Sequence, residues 1–231
     1  MKPDDLERLA SLFSGPGDIM FRDSYFNSAV LLLLVLQDGE YHLVFEKRSA
    51  EIRQGNEICF PGGMFDPVQD RDFQQTAVRE TSEELGIPAN KIKVIGKMDT
   101  LIAPQGVLVE GFLGVADISL DEISADPREV AYVFSVPVSY FERAEPEKYQ
   151  TEIIVNPVRI NEDGKEEMIF PAKELKLPDK YHRPWQGRKH NVYVYRYQGE
   201  VIWGITAAFI YDLINKYMGH VLKKGSEHYA V

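Results

Sequence analysis

A chain of 231 residues with 44% hydrophobic and 11% aromatic content is long enough to bury a full core and is ordinary for a globular enzyme domain. Its net charge of −10 argues against nucleic acid as the main partner, and an anionic substrate would have to be met by local positive charge. No apolar run approaches the roughly 18 residues of a membrane span, so no membrane partner is expected. The opening Met1-Lys2-Pro3-Asp4-Asp5 does not read as a signal peptide, and the single cysteine, Cys59, excludes an intrachain disulfide and suits a reducing, cytoplasmic location.

In chain order, Asp4 to Leu12 reads as a short amphipathic helix. Asn27 to Leu36 and Tyr41 to Phe45 are β-like runs separated by Gln37-Asp38-Gly39-Glu40, a hairpin signal. Cys59 falls on the apolar approach to Phe60 and reads as a packed residue. A helix starting near Phe73 follows, with Asp72 and Gln75 spaced as a capping box and Gly86 then Pro88 as its stop. Further strands are expected near Lys93–Asp99, Val107–Val115, Glu152–Val158 and Val192–Tyr197. Ser119 to Arg128 reads as an acidic loop. The polar stretch Asp179 to Lys189 also reads as a loop, with Arg183, Arg188, Lys189 and His190 as a second candidate phosphate contact. A final long helix is expected from about Thr206 to Met218, with Ala207, Ile210, Tyr211 and Ile214 at helical spacing. Strands mixed with two substantial helices give an α/β (α+β) layered domain. The organisation is a helical extension over 1–24, one domain over 25–220 and a tail over 221–231.

The chemistry concentrates between Pro61-Gly62-Gly63 and Ile87. At about 100° per residue, Glu83 and Glu84 fall roughly 60° and 40° either side of Glu80. Ala77, Val78, Thr81 and Leu85 continue round the helix as a packing face, so Glu84 sits at the border of the buried side and Glu83 points to water. Carboxylates roughly 5 Å apart at an effective dielectric near 20 repel by on the order of 3 kcal/mol per pair. A cation relieves that crowding, and oxygen-only ligands suit Mg²⁺ or Mn²⁺ rather than zinc. Taken alone, Arg79 and Glu83 would be an ordinary i,i+4 ion pair on a solvated face. The glycine turn upstream shifts the balance, because it permits close approach of backbone to a ligand.

Gly63, Arg79, Glu80, Glu83, Glu84, Gly86 and Ile87 resemble the Nudix box, G-x5-E-x7-R-E-U-x-E-E-x-G-U with U aliphatic. The interval from Gly63 to Arg79 is two residues longer than that pattern, and Thr81 replaces an aliphatic residue. The longer interval leaves the first box glutamate without a strict match, with Asp70 as the stand-in and Gln69 as the alternative. A second run, Arg48-Ser49, Arg53 and Phe60-Pro61-Gly62-Gly63, is similar to the extra motif LLTxRS-x3-R-x3-G-x3-FPGG of the coenzyme A pyrophosphatase subgroup. It is one residue short between Arg53 and Phe60, and Asn56 stands where a glycine is expected. Ile202-Trp203-Gly204-Ile205-Thr206-Ala207 resembles the IWGLTA segment of the same enzymes.

The resemblance implies a Nudix-type α/β/α sandwich with a mixed β-sheet. It also implies that Glu80, Glu83 and Glu84, with the Gly63 carbonyl, hold one to three Mg²⁺ or Mn²⁺ ions. Those ions would neutralise a diphosphate and lower the pKa of an attacking water. Arg79 is expected to orient Glu83. A further acidic residue would act as base or extra ligand, with Glu129 favoured over Glu110. Arg48, Arg53 and Gly62 are the candidate substrate contacts, guanidinium forks being suited to phosphate. Coenzyme A or a derivative is the expected substrate, cleaved to 3′,5′-ADP and 4′-phosphopantetheine. Two alternatives stand beside it: another nucleoside diphosphate derivative such as ADP-ribose, or a non-catalytic nucleotide sensor. Homodimers are common in the superfamily, so a homodimer is an open expectation.

Overall fold

A computed structural model describes residues 5–15, 17–52 and 54–227. Helix α1 (Asp5–Leu12) precedes strands β1 (Phe26–Gln37), β2 (Glu40–Arg48), β3 (Ile58–Cys59) and β4 (Gly62–Met64). Helix α2 (Phe73–Leu85) leads to β5 (Ile92–Lys97), β6 (Leu101–Ala103), β7 (Val107–Ala116) and β8 (Val130–Pro137). Then come α3 (Val138–Arg143), β9 (Glu147–Val155), β10 (Val158–Ile160), β11 (Glu166–Met168), β12 (Trp185–Tyr197), β13 (Glu200–Trp203) and α4 (Gly204–Glu227).

The main sheet runs β3-β2-β1-β7-β5, with β4 beside β1, β6 beside β7 and β8 beside β2. It is mixed, because β1 and β7 are parallel while the other pairs are antiparallel. Strand β1 explains the architecture. Its apolar run is uninterrupted rather than alternating, as a strand buried on both faces requires. Ala29, Leu31, Leu33 and Val35 pack with Ala77 and Leu85 of α2. Leu32, with Val30 and Leu34 packed beside it, joins Phe45, Phe141, Tyr195, Phe209 and Ile210 on the opposite face. Burying each such leucine contributes roughly 2 kcal/mol. Helices α3 and α4 lie on that second side with the smaller sheet β13-β12-β9, which gives the expected α/β/α layering.

The β1–β2 hairpin turns at Asp38 (φ 50°) and Gly39 (φ 84°), the two left-handed positions of a tight hairpin turn. The two strands pair only from Leu34–Gln37 to Glu40–Leu43. Beyond that point β4 occupies the flank of β1 and β3 the flank of β2. The residues Phe60 and Pro61 therefore bridge a fork in the sheet, with the Pro61 carbonyl accepting from the Leu31 N–H at 2.9 Å.

Two sequence expectations need correction. Strand β12 begins at Trp185, so the reading of Asp179–Lys189 as a loop fails over its second half; a register shift between Gln186 and Lys189 lets the strand pass Gly187. Helix α4 runs from Gly204 to Glu227, longer at both ends than the expected Thr206 to Met218. The acidic loop of 119–128 contains a short 3₁₀ turn, Leu120–Glu122, closed by a capping box between Ser119 and Glu122. That loop also covers the end of α2: the N–H groups of Ser124 and Asp126 donate to the carbonyls of Leu85 and Glu84 at 3.1 and 2.9 Å.

Candidate active site

Helix α2 is set as its sequence requires. The Asp72 side chain accepts from the Gln75 N–H at 2.8 Å, while the Gln75 side chain accepts from Arg71 at 3.3 Å rather than closing the box on Asp72 itself. Gly86 ends the helix at φ 65°, where a Cβ would stand 2.4 Å from the Ser124 carbonyl oxygen. Rotation along this helix sorts the glutamates as expected: the Glu83 side chain is 59% exposed, that of Glu80 is 18% exposed, and Glu84 is buried.

Arg79 organises the outer side of the cluster. Its Nε and Nη2 donate to the two oxygens of Asp70, both at 2.9 Å, and its Nη1 lies 2.9 Å from Glu80 and 3.1 Å from Glu83. The sequence reading assigned Arg79 to Glu83 alone; the structure makes it the hub of three carboxylates. Asp70 also accepts from the Thr76 hydroxyl at 2.9 Å and the Asp66 N–H at 3.2 Å. The Arg79 fork holds its carboxyl down at about 2 despite burial. Asp70, not Gln69, thus stands against Arg79, whereas Gln69 bonds to Asp66 at 2.8 Å.

The glycine turn fits against the inner side. The Gly62 N–H donates to Glu84 Oε2 at 2.8 Å. Gly63 stands opposite Ala29 in the sheet, and a Cβ on it would lie 2.3 Å from the Glu80 carboxyl carbon. Any side chain there would evict Glu80, so the glycine that opens the box makes room for its glutamate.

Below the helix lies a carboxylate that the sequence reading did not single out. Glu46, on β2 and fully buried, accepts from the Cys59 thiol at 3.2 Å through Oε1, and its Oε2 has no partner. Cys59 is therefore not simply an apolar packing residue, although burial, then Glu46, pushes its thiol far above the usual range and leaves no thiolate for nucleophilic work. The Arg48 guanidinium lies 3.9 Å from Glu46. Glu46 could have been noticed in one way: it occupies the threonine position of the LLTxRS motif.

Burial, and then the like charge of Glu46, raises the Glu84 carboxyl well above the usual range; Glu46 is raised chiefly by burial and Glu80 likewise. Glu129 is exposed, just before β8, and its charge bears on both Glu46 and Glu80. Glu110 is elsewhere engaged, by Arg22, Lys97 and Thr100. Among the described residues no three acidic, histidine or cysteine side chains converge as a finished metal shell. What the site offers is a hard-oxygen donor set with a buried, unpartnered carboxylate oxygen, a composition that fits a hard divalent cation. Arg188, Lys189 and His190 lie on β12, where Lys189 faces Glu152 and His190 faces Thr151 across the ladder; Arg183 lies just ahead of that strand. Arg53 lies outside the described residues. No helix of the described residues is long and apolar enough to cross a membrane.

The chain is similar to known proteins. The NUDIX domain family matches residues 26–185. An uncharacterized Nudix hydrolase, NudL, of Photorhabdus laumondii is 31% identical over 189 residues, covering 80% of this chain and 82% of that protein. The peroxisomal coenzyme A diphosphatase NUDT7 of Mus musculus is 34% identical over 128 residues, which is 54% of this chain and 53% of that protein. Among solved structures, a C. elegans Ap4A hydrolase complex shows 20% identity and a TM-score of 0.41, over 48% of this chain and 80% of that one. Proteins of this family are hydrolases that generally work with divalent metal ions. The match over most of the chain and the glutamate-bearing helix behind a glycine turn together place it: the chain belongs to the Nudix hydrolase family.

Proposed function

We propose that the chain hydrolyses the diphosphate linkage of coenzyme A or a derivative, releasing 3′,5′-ADP and 4′-phosphopantetheine. The observation that carries this reading is the placement of Arg48-Ser49 and Phe60-Pro61-Gly62-Gly63, the two runs similar to the coenzyme A motif, at the fork beneath the α2 glutamates. The matched stretch of the mouse coenzyme A diphosphatase supports it.

In this reading Glu80, Glu83 and Glu84, with the Gly63 carbonyl, hold Mg²⁺ or Mn²⁺. When bound, such ions neutralise a diphosphate and acidify water. Arg79 keeps Glu80 and Glu83 aimed into the site through its anchor on Asp70. The Gly62 N–H donates to Glu84 Oε2 at 2.8 Å and so holds that side chain in place, and the glycine itself is a candidate substrate contact. Glu129, exposed beside Glu80 and Glu46, takes the proton from the attacking water. Arg48 and Arg53 meet the phosphates. One water adds across the P–O–P bridge, so each bridge phosphorus leaves as a phosphate monoester, one on 3′,5′-ADP and one on 4′-phosphopantetheine.

Mass-spectrometric product analysis tests this with coenzyme A, its 3′-dephospho form and ADP-ribose, each in Mg²⁺ and in Mn²⁺. Appearance of 3′,5′-ADP with 4′-phosphopantetheine, and slower cleavage of the dephospho form, is expected. Cleavage of ADP-ribose alone would overturn the substrate while leaving the chemistry.

A further inference from the structure

We propose that Glu46 is a further ligand for a divalent cation, presenting its unpartnered Oε2 from the sheet side of the fork opposite Glu84 of α2. The proposal rests on the reading that Glu80, Glu83 and Glu84 hold a metal, and adds to it a residue outside the box.

Glu46 is fully buried, and β2 alternation points it to the α2 face: Val44, two residues earlier, packs with Ala77 and Leu85. Cys59 faces it across the β2–β3 ladder, and the thiol occupies Oε1 at 3.2 Å. Oε2 is left with no partner. A buried carboxylate oxygen without a donor is costly and rare in native proteins. The Cys59 thiol and the Arg48 charge favour the ionised carboxylate, yet burial outweighs both and leaves its carboxyl raised. Glu80 and Glu129 both act on Glu46 as like charges, and Glu46 acts so on Glu84; the Arg48 guanidinium is 3.9 Å away, on Oε1.

Two arrangements could stabilise such a pair. In one, Glu46 and Glu84 share a proton, which would place a carboxyl–carboxylate hydrogen bond between them. The geometry lacks that bond, because Oε2 is unpartnered and the Gly62 N–H holds Glu84 Oε2 at 2.8 Å. In the other, a cation sits between them. The Cys59 thiol keeps its proton, so it serves Glu46 as a hydrogen-bond donor and leaves an all-oxygen donor set suited to Mg²⁺ or Mn²⁺. Cys59 thus acts as a positioning residue, turning Glu46 so that one oxygen stays open.

The test is Mn²⁺ binding, followed by electron paramagnetic resonance of free Mn²⁺, on wild type, Glu46→Gln and Glu46→Thr. Both variants are expected to bind their tightest ion at least tenfold more weakly, or to lose one ion per chain, with circular dichroism unchanged. Unaltered affinity and stoichiometry in Glu46→Gln would overturn the proposal. Wild-type crystals grown with Mn²⁺ give an answer that needs no variant. An anomalous peak within coordination distance of Glu46 Oε2 is expected. Mn²⁺ on Glu80, Glu83 and Glu84 with Glu46 uncoordinated would reject Glu46 while keeping the metal reading, and absence of Mn²⁺ binding to wild type would remove both.

Discussion

Two carboxylates are buried in the same sheet, two strands apart, and the protein treats them in opposite ways. Glu110 on β7 is 1% exposed and has an Arg22 guanidinium at 3.2 Å, a Lys97 amine at 2.9 Å and a Thr100 hydroxyl at 2.8 Å. Burial would raise its carboxyl, but those partners more than reverse the effect and hold it below the usual range. Glu46 on β2 is equally buried, lies under Glu84, and receives a thiol and a distant guanidinium. Both carboxyls of that pair are pushed upward. The first is closed by the chain's own cations and belongs to the scaffold, tying the segment before β1 to the sheet. The second is left with its carboxyls raised, and the proposed metal would supply the positive charge that the chain does not.

This contrast can be broken by exchanging carboxylate for amide on each side. Glu83→Gln or Glu84→Gln is expected to lower kcat by roughly 10³-fold or more, since each removes charge from the proposed metal-holding set. Urea denaturation should show little loss of stability for Glu84→Gln, because the change relieves repulsion. Near-wild-type turnover in both variants would end the assignment. Glu110→Gln should do the reverse, leaving kcat within a few-fold while lowering stability by about 3 kcal/mol, as expected when one member of a buried ion pair is lost.

A steric test comes next. Gly63→Ala places a methyl where the Glu80 carboxyl now lies, 2.3 Å from its carbon. Displacing Glu80 should reduce kcat by about 10²-fold, and a variant with unchanged kinetics would show that Glu80 has other routes into the site. The smallest effect concerns Asp70. Its carboxyl titrates at about 2 when folded against an ordinary 3.8, so its contribution is present above pH 3.8 and is lost as pH falls through about 2. That contribution is on the order of 2 kcal/mol. Stability measured between pH 5 and 2 should fall less steeply in Asp70→Asn, which begins lower and lacks this titration.

Local signals in the sequence were enough to find α2 and orient it. Asp72, Gln75 and Gly86 mark its ends, and helical rotation alone separates exposed Glu83 from buried Glu84. The apolar run of β1 likewise announces a central strand. What stayed hidden depends on pairing between distant segments. Glu46 meets Cys59 only because β2 and β3 share a register in which those two residues are partners. Strand β8 was missed because Val130 to Pro137 ends in a proline and shows no clean alternation, yet it pairs along β2 from His42 to Arg48. The start of β12 was read as loop because Gly187 and a run of basic residues interrupt it, and the ladder absorbs the interruption by shifting register. Asp70 was one of two choices by spacing, and only the position of Arg79 decides between them.

The loop over 119–128 binds the last carbonyls of α2 through Ser124 and Asp126, and three residues later the Glu129 carbonyl accepts from the Ser49 N–H at 2.8 Å. It therefore acts as a ruler of fixed length between helix α2 and the strand edge that carries Arg48 and Ser49. Exposed loops normally absorb insertions with little effect. Here one added residue would either free the helix end or move Glu129 relative to Glu80. The hairpin tip at Asp38-Gly39 has no such duty and is where length can change. Tolerance to insertion in this fold follows from what a loop's backbone holds, not from how much of it is in water.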